Sequence, residues 1–110
     1  MAYDEELAHR IRAVLADVPG VSEKRMFGGL GFLVNGNLAA SASSRGGMLL
    51  RVDPADTDAL VAEPHAERAV MRGRPMDGWL RVAVAELPDD EVDGWIARGV
   101  AYARTLPDKR

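Results

Sequence analysis

The sequence predicts an α+β domain: a small antiparallel sheet of about five strands with three helices, in the order α-ββββ-α-β(β)-α. Three observations predict it. Apolar residues recur at helical steps near both ends of the chain and alternate with other residues in between. Asn35-Gly36, the preferred pair for a type I′ hairpin turn, separates two of the alternating runs. The chain has 110 residues, 47% of them hydrophobic, which suits one domain around one core.

Residues 4–18 read as an amphipathic helix, because Leu7, Ile11, Val14, Leu15 and Val18 share one face. Asp4, Glu5 and Glu6 sit where the helix dipole favours negative charge, and Pro19-Gly20 ends the run. The stretch KRMFGGLGFLVNGNLAA, at 24–40, then raises the question of a nucleotide site. Gly28, Gly29 and Gly31, close behind Lys24-Arg25, have the composition of a phosphate-binding loop. Such a loop must open directly into a helix whose amides receive the anion. Here the glycines lead into Leu30, Phe32 and Val34, then the Asn35-Gly36 turn, then Leu38, Ala40 and Ala42. They belong before and inside a hairpin, where glycine suits a bulge or a close strand crossing.

The turn SSRGG at 43–47 leads to Met48, Leu50 and Val52 on a fourth strand. Asp53-Pro54 starts a short helix, with Asp as cap and Pro in the first helical position, and Glu63-Pro64 ends it. Residues 66–71 read as an irregular strand and RGRPMDG, at 72–78, as a loop. Leu80, Val82 and Val84 alternate in a strand. The last helix spans about Pro88 to Leu106, with Val92, Trp95, Ile96, Gly99, Tyr102, Ala103 and Leu106 along its apolar stripe.

Several function classes fall to composition. The chain has no cysteine, which excludes disulfides, thiolate catalysis and cysteine-ligated metals. Its acidic start, MAYDEELAHR, is not a signal peptide, and no apolar run approaches the roughly 20 residues of a bilayer span. A soluble, cytoplasmic protein is expected. Net charge is −3, without the basic excess that phosphate contacts usually require.

Alternation also predicts a second sheet face. If Leu30, Phe32, Val34, Leu38, Met48, Leu50, Leu80, Val82 and Val84 face the helices, then Leu33, Ala39, Ser41, Leu49, Arg51, Trp79, Arg81 and Ala83 face away. Apolar residues interspersed with Arg and Trp have the composition of a protein–protein interface. The alternative is that the terminal helix folds over this face and buries it internally.

Other candidates for chemistry read as ordinary structure. His9 and His65 lack ligand spacing, and Ser41, Ser43 and Ser44 lack a nucleophile-elbow pattern. The acidic clusters at 4–6 and 89–91 are accounted for by helix-end electrostatics. Arg68, Arg72, Arg74 and Arg81, with Lys24, Arg25 and Trp79, could form a modest anion or nucleic-acid patch. The competing reading pairs these arginines with acids elsewhere.

The stretches YDEELAHRIR, SEKRMFGGLGFLVNGNLA, PHAE and GRPMDGW resemble the TfoX N-terminal domain family, also called TfoX/Sxy, across nearly the whole chain. The resemblance implies an α+β domain found alone and in regulators of bacterial competence for DNA uptake. It brings no catalytic residue with it. Competence regulators carry a second, C-terminal domain, whereas this chain ends at Arg110 after a short charged tail, so a stand-alone domain is expected. Family members often have a cysteine after the NGN turn; LAASAS here removes any thiol role.

The resulting expectation is a non-catalytic regulatory or protein-interaction domain, linked to competence or transcription regulation. A homodimer and a protein partner are expected, with no metal, cofactor or membrane. The expected interaction surface comprises Met26, Phe27, Gly28 and Gly29 of the MFGG segment, together with Arg51, Arg74, Trp79 and Arg81. A weak nucleic-acid-binding module and a small-molecule-binding protein or enzyme are the alternatives.

Overall fold

A computed structural model of the chain describes residues 4–26, 29–43 and 47–107. Helix α1 spans Glu5–Leu15, with the Asp4 carboxylate accepting from the Leu7 amide as its cap. Four strands follow: β1 Val21–Met26, β2 Gly29–Val34, β3 Asn37–Ala42 and β4 Met48–Arg51. A single 3₁₀ turn, Pro54–Asp56, runs into α2, Thr57–Leu60, with the Asp53 carboxylate capping the turn at Ala55 N. Strands β5 (Ala66–Met71) and β6 (Arg74–Val82) come next, and α3 (Asp89–Thr105) closes the chain. The six strands form one antiparallel sheet in the order β1-β2-β3-β4-β6-β5.

The glycine-rich stretch lies in this sheet. Gly29 and Gly31 are β2 residues paired with Met26 and Lys24, and no helix follows them. Phe27 and Gly28 lie outside the described residues, as do Ser44, Arg45 and Gly46 of the SSRGG turn. Asn35 and Gly36 have φ of 52° and 83°, the left-handed pair that a type I′ turn needs.

Two expectations are corrected. RGRPMDG is not a loop: Arg72-Gly73 alone makes the turn, with φ of 54° and 77°, and β6 begins at Arg74. The 66–71 strand is present in full as β5, so the sheet has six strands and the element order is the expected α-ββββ-α-ββ-α. Pro75 is tolerated because β4 pairs only with Trp79–Val82, which leaves Arg74–Asp77 a local edge with β5 as sole neighbour.

The second correction concerns β3. Phe32 pairs with Ala40 but Leu33 pairs with Leu38, so Ala39 is an extra residue, a bulge. Beyond it the alternation reverses. Leu38 leaves the helical side and stands beside Leu33 on the other face, while Ala39 is fully buried.

Ile11 of α1, Leu60 of α2 and Ile96 of α3 join Phe32, Leu50 and Leu80 in one core, so the helices cover one face of the sheet. The terminal helix packs against β3 and β4 on that side. Its closest approach is at Gly99, where an added Cβ would stand 2.6 Å from the Ala39 carbonyl and 2.6 Å from Leu50 Cδ1. Among the described residues no helix lies over the centre of the opposite face; at one end Tyr102 of α3 reaches Arg51.

Two glycines of α3 should respond oppositely to the same substitution. Gly94→Ala meets nothing within 4 Å and should stabilise by about 0.5–1 kcal/mol through helix propensity. Gly99→Ala drives a methyl into backbone and should destabilise by about 1–3 kcal/mol despite that gain. Urea unfolding of the two variants measures both.

Candidate interaction surface

Strand pairing lays out the open face in rows. One row runs Lys24, Gly31, Ser41, Leu49, Arg81 and Glu67 across the sheet. The next carries Leu33 beside Leu38 and Arg51 beside Trp79. Leu33, Leu38, Leu49, Arg51, Trp79 and Arg81 are all half-buried. Gly31 and Ser41, in the middle, are buried because longer side chains lean over them. Met26 Sδ lies 2.9 Å and Leu38 Cδ1 3.0 Å from where a Gly31 Cβ would be. The centre of the face is thus flat and aliphatic.

At one end of the face, Arg51 is held between two rings. Its guanidinium carbon lies 4.9 Å from the Trp79 ring centroid and 5.8 Å from that of Tyr102 on α3. Trp79 owes its position to Gly78, whose φ of 86° bends β6. The buried Gly78 amide donates to Thr57 Oγ1 at 2.8 Å, and its carbonyl accepts from Val52 N at 2.9 Å. Thr57 Oγ1 in turn donates to the Pro54 carbonyl at 2.9 Å. Arg81 Nη1 donates to Ser43 Oγ at 3.1 Å.

Among the described residues ion pairing is confined to three arginines. The ion pairs among the described residues lie with the helices: Arg10 with Asp89 and Asp93, Arg12 with Glu23, and Arg68 with Asp58 and Asp77. Among the described residues Lys24, Arg51 and Arg81 of the open face make no such pair, although Glu67 stands opposite Arg81 in register; Arg25 on the helical side of β1 and Arg98 and Arg104 of α3 make none either. That face carries three strand cations against one carboxylate, in a chain whose net charge is −3.

The residues expected at the surface are partly brought together. Met26, Arg51, Trp79 and Arg81 share the open face. Phe27 and Gly28 are outside the described residues. Gly29 is buried in β2, where an added Cβ would press on the Ala42 carbonyl. Arg74 lies apart, at the exposed β5–β6 hairpin end with Val70 and Met76. The proposed basic cluster is likewise dispersed: Arg68 is neutralised beside α2, and Arg25 points to the helical side of β1 opposite Leu30. Leu38 and Tyr102 were missed as site residues. No sequence signal marks the bulge that turns Leu38 outward, and Tyr102 reads only as part of an apolar stripe.

Two clefts lie near the Pro64-His65 connection. One, of about 300 Å³, is bounded by His65, Glu91, Trp95 and Arg98, and the other, of about 460 Å³, by His65, Arg81 and Val84. Among the described residues no group of three or more His, Cys, Asp or Glu is disposed to hold a metal. No described helix is long and apolar enough to cross a membrane.

An antiparallel sheet with helices on one side and an aliphatic, arginine-bearing face on the other defines an open-faced α+β domain. The family model of the TfoX N-terminal domain matches residues 13–103, and the chain belongs to that family. A search of curated proteins gave no match.

Thr57→Val should cost about 1–3 kcal/mol, because it leaves the buried Gly78 amide without an acceptor; thermal or urea unfolding reads the loss. The Arg12 hydrogen bond holds the Glu23 carboxyl below its ordinary value of 4.5. A carboxyl lowered in the folded state contributes stability above its unfolded value and loses it as pH falls through the folded one. Acid unfolding should therefore show wild type losing more stability than Glu23→Gln below about pH 4.5. A small difference is expected, because both partners are partly solvated.

Proposed function

We propose that this domain works by binding and performs no chemistry. It is a regulatory protein-interaction module, acting in the cytoplasm through the open face of its sheet. One observation carries the reading: Leu33, Leu38 and Leu49 stand half-exposed beside Arg51, Trp79 and Arg81 on a face whose centre no described helix covers. Aliphatic anchors with Trp and Arg are the side chains that dominate protein–protein contacts. Family membership supports a regulatory output of the kind that the TfoX resemblance implies.

Pull-down from the native cell extract, run beside light scattering of the purified protein, tests the proposal. A folded Leu38→Glu/Leu49→Glu double variant should lose the protein retained by wild type, whether that is a second copy or another chain. Identical capture and identical oligomeric state in the two proteins would overturn it. So would capture that disappears on nuclease treatment.

A further inference from the structure

The charge on the open face narrows the partner, granted that this face is the interaction surface. We infer that its occupant is an acidic amphipathic segment of another protein, with leucine-type anchors at helical spacing and carboxylates on the flanks.

The argument begins with the cations. Arg10, Arg12 and Arg68 on the helical side each have a carboxylate partner, and those pairs use Asp58, Asp77, Asp89, Asp93 and Glu23. Among the described residues Lys24, Arg51 and Arg81 have none. Arg25, Arg98 and Arg104 also have none, but they lie off this face, whereas the three cations on it flank half-exposed leucines. Lys24 stands at one margin of the face, while Arg51 and Arg81 stand on strands toward the other, with the aliphatic centre between them. A segment lying across the strands can set apolar residues on Leu33, Leu38 and Leu49 while its acids reach cations on both sides.

A second copy of the chain fits less well. A two-fold contact through this face sets the same patch against itself, and so opposes its cations to one another. Nucleic acid also offers negative charge, but sheet surfaces that read single strands do so by stacking bases on exposed aromatics. This face offers leucines, and its one tryptophan is already covered by Arg51.

The test uses two designed helical peptides of about 18 residues. Both place Leu at helical spacing on one face; one carries Glu elsewhere and the other carries Lys. Each is titrated into the ¹⁵N-labelled protein, with amide shifts followed by NMR. The Leu/Glu peptide should shift β2, β3, β4 and β6 residues around Leu33, Leu38, Leu49 and Arg81, and the Leu/Lys peptide should not. Lys24→Glu/Arg81→Glu should weaken the Leu/Glu peptide roughly tenfold and gain binding to the Leu/Lys peptide. Equal binding of the two peptides, or no shift with either, would overturn the inference. So would displacement of the Leu/Glu peptide by an oligothymidylate, or a dimer in solution that Leu49→Glu dissociates. That last result leaves the face an interaction surface and removes only its acidic partner. Failure of the Leu38→Glu/Leu49→Glu variant to alter capture or oligomeric state removes the surface itself.

Discussion

The contact between Gly99 and the Ala39 bulge is the constraint on which the rest of the structure depends. A helix can sit this close to a sheet only where it lacks a side chain, and here the sheet offers a backbone carbonyl at the contact. The contact fixes α3 on one side, beside Leu50 and with Val92, Ile96 and Val100 in the core. The same bulge turns Leu38 to the other side, next to Leu33. One extra residue in β3 thus closes the core and supplies an apolar anchor to the open face.

The two sides of the sheet differ in cover, and the ion pairs among the described residues lie on one of them. On the helical side three arginines tie helices to one another and to the sheet: Arg10 joins α1 to α3, Arg12 joins α1 to β1, and Arg68 joins β5 to α2. On the open side the cations tie nothing together by ion pairing. Arg51 is held by aromatic rings, whose attraction for a cation leaves its charge intact. A face with aliphatic residues at its centre and uncompensated cations around it is suited to a ligand that supplies both apolar surface and carboxylates.

Much of the frame could be read along the chain because its causes are local. Asp4 and Asp53 cap the elements they precede, and Asn35-Gly36 adopts the left-handed pair that its residue types favour. The alternation of Leu30, Phe32 and Val34, and of Met48 and Leu50, matches their burial. Two features escaped for a common reason. Arg72 occupies a left-handed turn position that arginine seldom takes, and Pro75 sits in a strand interior; only the neighbouring strands make these acceptable. The candidate surface was half legible: Arg51, Trp79 and Arg81 followed from period-two alternation, whereas Arg74 was grouped with them by sequence proximity alone.

The sequence by itself determined the order of helices and strands and the non-helical nature of the glycine stretch, because propensity, capping and turn chemistry act over a few residues; it did not determine the strand character of residues 74–78. Tertiary structure alone decided which face α3 covers, where β3 bulges and which arginines remain without carboxylates. Those outcomes depend on groups far apart in the chain, such as Gly99 against Ala39 or Arg10 against Asp93, and a local pattern carries no record of them.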